Sequence, residues 1–273
     1  MRYGIDITNF AEYGDARSVV RLAEAAEGAG WEALFIWDHV AFAWGQACGD
    51  AWTILTAVAT ATERITIGTS VTPLPRYVPH TFAHRLATLD RLSGGRIVLG
   101  AGLGGGAEAT KFGEPDDMRT RAAMADEGLE VLDRLWSGEE VTHRGAHYTV
   151  DGVRLKPPPL QRPRIPIWIG GDSRPALRRA ARWDGWLPGC MDHYGAVKKP
   201  PEQVAAHLAY IRQHRQHGAP FEVAVIGQSV PGDRRALRAE YEAAGVTLWL
   251  EMLHGYRGTF DEMLAVAAAG PPR

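Results

Sequence analysis

Cysteine is nearly absent: Cys48 and Cys190 are the only two in 273 residues. That excludes a disulfide framework, and no CxxC spacing exists for a thiolate metal site. Long apolar runs are missing too, none approaching the ~20 residues needed to cross a bilayer. The opening Met1-Arg2-Tyr3-Gly4-Ile5-Asp6-Ile7 reads into a strand, without the apolar core of a signal peptide. Charge of one sign is not in excess. The 30 basic and 32 acidic residues leave a formal net charge of −2, which gives no electrostatic footprint for nucleic acid or an anionic membrane. No Gly-x-Ser-x-Gly elbow occurs, and neither cysteine has a base beside it in sequence. These absences fit a cytoplasmic protein whose partner is a small molecule, with no nucleic acid and no membrane.

What remains is a chain built to bury a core, 45% hydrophobic and 23% charged. Eight short apolar segments, residues 3–7, 33–38, 65–71, 97–102, 165–171, 185–188, 222–228 and 247–253, alternate with helical patterns. Val19, Leu22, Ala23 and Ala26 line one helix face; Phe82, Leu86, Leu89 and Leu92 line another. Leu129, Leu132, Leu135 and Trp136 form a third, and Phe260, Met263, Leu264 and Ala267 a fourth. Several strands are apolar throughout, as in a parallel sheet buried on both faces. The pattern predicts an α/β fold, a parallel eight-stranded (β/α)8 TIM barrel, whose usual size is about 250 residues. Residues 1–273 read as one domain. An insertion of about residues 141–164 interrupts it before the fifth strand: an alternating hairpin with turns at Gly145 and Gly152, then a run too rich in proline for a helix.

Ligands of parallel barrels bind at the C-terminal ends of the strands. Here those ends read Asp38-His39, Gly68-Thr69-Ser70-Val71-Thr72-Pro73, Gly100-Ala101-Gly102-Leu103-Gly104-Gly105 and Gly170-Gly171-Asp172-Ser173. Gly170, Gly171 and Ser173, before a helix at Pro175, suit a phosphate or, alternatively, an ordinary capped turn. Gly100 to Gly105 matches G-x-G-x-x-G, but it stands fourth in strand order and only a turn of helix is expected from Glu108 to Lys111, so a dinucleotide fold is declined. His39, at a strand end beside Asp38 and near Trp37 and Trp44, is the leading candidate for polar chemistry. The pairs His80/His84 and His143/His147 have zinc-like spacing but no third ligand, and are read as structural, with no metal. Asp6, Asp38 and Glu251 keep a carboxylate-based glycoside hydrolase open as an alternative.

Taken in order, Gly30-Trp31 through His39, Gly68 through Tyr77 with Pro79, Ala87 through Arg96, Leu99 through Gly104, and Pro166 through Gly171 with Asp184-Gly185-Trp186 resemble the bacterial luciferase-like family of flavin- and deazaflavin-dependent oxidoreductases. The resemblance implies a barrel holding a tricyclic ring over its strand ends, using FMN or coenzyme F-420, and working as a monooxygenase or a hydride-transferring oxidoreductase. It places His39 near the ring, a cis non-proline peptide at Ser70-Val71, and phosphate at Gly170 and Gly171 beside Ser173. Asp38, Thr69, Ser70, Val71, Gly102 and Gly104 complete the expected cofactor site; Trp44 and Glu108 join His39 as expected catalytic residues. Thr69-Ser70-Val71 and Arg76-Tyr77 look like the deazaflavin-dependent sugar-phosphate dehydrogenases. The glutamate those enzymes carry after the fourth-strand glycines is Gly105 here, with Glu108 as its candidate replacement. A flavin reductase or other donor of reduced cofactor and a homodimeric state are further expectations. A non-catalytic flavin-binding relative is the remaining alternative.

Overall fold

The computed structural model describes residues 1–41, 45–189, 197–216, 218–229 and 234–271. Eight parallel strands form the barrel: β1 (Arg2–Ile7), β2 (Ala33–Ile36), β3 (Thr66–Thr69), β4 (Ile97–Gly102), β5 (Ile167–Gly170), β6 (Gly185–Leu187), β7 (Glu222–Gly227) and β8 (Leu248–Leu253). Their neighbour order runs β3-β2-β1-β8-β7-β6-β5-β4, and Ile67 and Gly68 of β3 pair with Ile97 and Val98 of β4 to close the ring. All eight segments expected from the sequence are strands. β3 pauses at the Ser70–Val71 peptide, which is cis, and pairing with β4 resumes at Thr72 and Pro73.

The helices are α1 (Ala16–Gly28), α2 (Ala51–Ala61), α3 (Pro79–Leu92), α4 (Gly106–Lys111), α5 (Met118–Trp136), α6 (Arg174–Ala180), α7 (Pro201–His214), α8 (Arg234–Ala243) and α9 (Phe260–Ala268). Several start on side-chain caps that satisfy an otherwise unpaired N–H. Asp15, Asp50, Asp117 and Ser173 cap α1, α2, α5 and α6, and Thr259 and Glu262 make a reciprocal capping box on α9. No helix among the described residues is long and apolar enough to cross a membrane.

Burial separates into two layers. Inside the ring, Ala33, Phe35, Val98, Trp168, Leu187, Ala224, Ile226, Leu248, Leu250 and Met252 fill the barrel, with Phe35 stacked on Trp168 at 5.2 Å. Between strands and helices lies a larger shell that includes Val19, Leu22, Leu86, Leu129, Leu132 and Trp249. Two local expectations need correction. Leu92 is 49% exposed: Asp90 takes the inward place on α3, and a residue two further on points to the opposite side. The fourth-strand glycines open directly into the six-residue α4, more than the single turn expected from Glu108. That helix still follows the fourth strand of a closed barrel, so it does not make a dinucleotide fold.

The insertion is fastened to α5 and α3. Its hairpin, Glu140–Arg144 against Thr149–Arg154, is held by Glu127 of α5, which accepts from His147 N, Tyr148 N and His143 Nε2 at 2.9, 2.7 and 3.1 Å. The proline-rich run after it is tied to buried Asp90, which accepts from Leu160 N at 2.6 Å and Gln161 Nε2 at 2.7 Å. Gln161 also donates to Ile97 O at the start of β4. The proline-rich run therefore lies where the strands begin, while the hairpin packs along α5.

Candidate functional site

At the C-terminal mouth, loops from separate parts of the chain enclose a cavity of about 590 Å³. Ser70, Val71, Gly102, Gly104, Gly170, Gly171 and Ser173 all line it, with Trp37 on one wall and Leu187 and Ile226 on another. A smaller recess of about 280 Å³ shares Trp37, Ser70, Val71 and Gly104 and extends the mouth to Asp38 and His39. Two of the glycines also have a packing role. A Cβ on Gly102 would lie 2.3 Å from Val71 Cγ2, and one on Gly170 would lie 2.9 Å from Val71 Cγ1. Their missing side chains make room for Val71, which is clamped between β4 and β5 and forms the floor. Thr69 is fully buried and does not line the cavity; it donates to Gly100 O at 3.0 Å and accepts from Thr72.

Beneath one wall sits a carboxyl group named from sequence only as a hydrolase candidate. Asp6 is fully buried; it accepts from Trp37 Nε1 at 2.9 Å and from the Ser70 hydroxyl. Burial pushes its pKa up to about 8, and the bonds from Ser70 and Trp37 offset only part of that rise. Folded Asp6 thus keeps a proton that the unfolded chain releases. Its contribution to stability is complete below the ordinary value of 3.8 and is lost as pH rises toward about 8. Asparagine reproduces the protonated acid, so Asp6→Asn should flatten this decline. Denaturant unfolding at about pH 5 and about pH 9 checks it, with the variant gaining on wild type at the higher value. Nearby, Asp38 accepts from the Tyr77 hydroxyl, which lies 2.8 Å from Oδ2 and 3.1 Å from Oδ1, and burial raises its pKa as well.

His39 is the hub of the opposite wall. Its backbone is fixed by fully buried Asn9, whose Nδ2 donates to His39 O at 2.7 Å. Its Nδ1 lies 3.0 Å from Glu108 Oε2. Glu108 reaches across from α4, accepts from Val40 N at 2.8 Å and Ala41 N at 3.1 Å, and receives Arg76 Nη2 at 3.1 Å. Burial alone would raise the Glu108 pKa, but the bonds from Val40 and His39 and the charges of His39 and Arg76 hold it below its ordinary value. Behind it Glu114 joins Arg76 (2.6 Å) to fully buried Arg121 (3.0 Å). A carboxylate on Nδ1 sets the tautomer, so a neutral His39 ring carries its N–H at Nδ1. Cys48 packs under the same turn and donates to His39 O; burial lifts its thiol to about 11, which makes it a poor nucleophile.

The far end of the cavity is the turn before α6. Gly171 has φ +108 and its carbonyl accepts from Trp186 Nε1 at 2.8 Å. Ser173 caps the helix, accepting from Ala176 N at 3.3 Å. Sequence reasoning missed Asp172, which lines this end and pairs with Lys199 Nζ at 2.8 Å. Of the expected residues, Asp38, His39, Ser70, Val71, Gly102, Gly104, Gly170, Gly171 and Ser173 meet at one mouth, with Glu108 touching His39. Thr69 lies below it, and Trp44 lies outside the described residues. Glu251 is held inside the protein by Arg257 (2.6 Å), Trp249 (3.0 Å) and Ser229. Arg76 and Tyr77 entered the sequence reading only through the family resemblance and Asn9 not at all, because their roles depend on contacts 30 or more positions away.

Comparison with known proteins adds the lineage. An F-420-dependent glucose-6-phosphate dehydrogenase of Nakamurella multipartita is 36% identical over 185 residues, covering 65% of this chain and 53% of that one. The match thus spans about half the length of that relative. Among solved structures, monooxygenase RslO1 from Streptomyces bottropensis superposes with a TM-score of 0.76 at 21% identity over 98% of this chain and 96% of that one. The coenzyme F-420-dependent tetrahydromethanopterin reductase from Methanopyrus kandleri does so at 0.75 and 18%, over 98% and 97%. At these identities the two structures speak for the fold alone. The luciferase-like monooxygenase family model matches residues 1–269, and the chain belongs to that family.

Proposed function

We propose that the protein is a two-electron oxidoreductase that holds FMN or coenzyme F-420 in the mouth cavity, F-420 being the favoured of the two, and acts on a small organic substrate. The observation that carries this reading is the convergence of Trp37, Ser70, Val71, Gly102, Gly170 and Gly171, from four different strand ends, on one cavity beside His39. The fit is sound in size and chemistry. About 590 Å³ falls within the ~300–1,000 Å³ of small-ligand sites. Val71 offers an apolar floor, Trp37, Leu187 and Ile226 offer apolar walls, and Ser70 offers a polar edge. A bound ring would itself supply the electron chemistry.

The chain supplies the rest. The apolar walls keep water from the reacting face, and Val71 sets the height at which a flat group can rest. His39 Nε2 takes or returns the substrate's proton, and Glu108, through Nδ1, orients the imidazole and balances its charge. The turn at Gly170 and Gly171 is proposed to receive a phosphate, with Lys199 as the nearby cation. F-420 is favoured by the 36%-identical relative that uses it. A paired acid–base group at the mouth also suits a reaction that couples a hydride to a proton.

Titration of the purified protein with F-420 and with FMN, each oxidised and reduced, tests the reading. F-420 is expected to bind at micromolar or lower Kd, at least about tenfold tighter than FMN. Tighter binding of FMN would overturn the choice of cofactor, and binding of neither would overturn the function.

A further inference from the structure

At the other end of the barrel lies a second cavity of about 550 Å³, formed where the strands begin. We infer that it is a binding site for an anionic small molecule with a flat apolar body, such as an aryl sulfonate or aryl carboxylate. Its ceiling is the underside of the barrel plug: Ala33, Val98, Trp168 and Leu248, all at most 5% exposed. Trp168 is stacked on Phe35 and so presents a rigid aromatic surface. The rim carries four arginines, Arg2, Arg96, Arg162 and Arg164, against two carboxylates, Asp184 and Glu222. On the rim cations therefore outnumber anions by two, and by one once Asp133, paired with Arg164 at 3.6 Å, is counted.

The arginines divide into fixed supports and groups with donors to offer. Arg96 is a support: its Nε, Nη1 and Nη2 donate to Ser93 O, Thr62 Oγ1, Ile65 O, Ala59 O and Thr62 O. Arg2 contacts Glu222 through Nη2 only, at 2.8 Å, and Arg162 uses Nη1 only, for Pro159 O and Gln161 O. A guanidinium has five N–H donors, so each retains several for an anion. Arg164 is a second support, paired with Asp184 at 2.9 Å through Nη2 and with Asp133 at 3.6 Å through Nη1. The proline-rich run supplies the outer wall, held in place by Gln161 on Asp90 and Ile97. An apolar ceiling with a few convergent polar groups at this volume is the usual anatomy of a ligand pocket, and the surplus positive charge sets the sign of the ligand.

The test uses the whole protein and the fluorescent probe 8-anilinonaphthalene-1-sulfonate. One saturable site is expected, weakened about tenfold by Arg162→Glu and further by Arg2→Glu/Arg162→Glu. The uncharged analogue N-phenyl-1-naphthylamine should bind about tenfold more weakly than the sulfonate. Arg162 has an exposed side chain, so the single variant should fold and decides the matter if the double variant does not. Equal probe affinity in wild type and Arg162→Glu would overturn the site. Displacement of the probe by FMN or F-420 would move it to the upper mouth and overturn the site too.

Discussion

Turnover by His39→Gln should fall about 100- to 10,000-fold, the usual contribution of a positioned acid–base group, while cofactor Kd stays within about threefold. In the proposed reaction the imidazole exchanges the proton; it lines the smaller recess, whereas the larger cavity is lined by other residues. Glu108→Gln should cost less, about 10- to 100-fold. Its amide oxygen can still accept from Val40 and Ala41, but the negative charge facing His39 and Arg76 is gone. The double variant should be little worse than His39→Gln alone, since Glu108 acts through His39. Steady-state kinetics on the three variants, with cofactor affinity measured alongside, decides this. Additive losses would show that Glu108 has a separate role.

Gly102→Ala should weaken cofactor binding by about 10- to 100-fold, with Val71→Ala in the same chain restoring most of it. The added Cβ would meet Val71 Cγ2 at 2.3 Å, a contact no rotamer of alanine relieves. Overpacking of this kind costs about 1–3 kcal/mol, and every 1.4 kcal/mol is about tenfold in affinity. Val71 is then driven up from the floor into the cavity proposed to hold the ring. Trimming Val71 removes the colliding methyls, so rescue by the second substitution separates this account from general misfolding. Gly102→Ala and Gly102→Ala/Val71→Ala compared by the same titration give the answer. Failure of rescue would mean that Gly102 contacts the ligand directly.

Much of this architecture is legible in the sequence, for identifiable reasons. The strands are short, apolar on both faces and separated by helical periodicity; Gly185–Leu187, the shortest and least distinct of them, is a strand paired with Trp168 and Ile169. The mouth is legible because barrel topology converts strand order into spatial proximity: residues near 38, 70, 102 and 170 must share one rim once the ring closes. Three things were hidden. The packing role of Gly102 and Gly170 against Val71 was not legible, because a glycine in sequence does not say which neighbour approaches it. The exposed side of Leu92 follows from Asp90 turning inward to hold residues about seventy positions later in the chain. The protonated state of Asp6 follows from complete burial, which an acidic residue in an apolar strand hints at but cannot quantify.

Hydrogen–deuterium exchange with and without the cofactor that binds is the most direct check on where the ring and its phosphate lie. Slower exchange should appear together in residues 37–41, 70–73, 102–108 and 170–176, four stretches far apart in the chain, and should leave 95–97 and 161–166 unchanged. Protection confined to the latter two stretches, or to a single loop at the mouth, would contradict a ligand held across the strand ends above Val71.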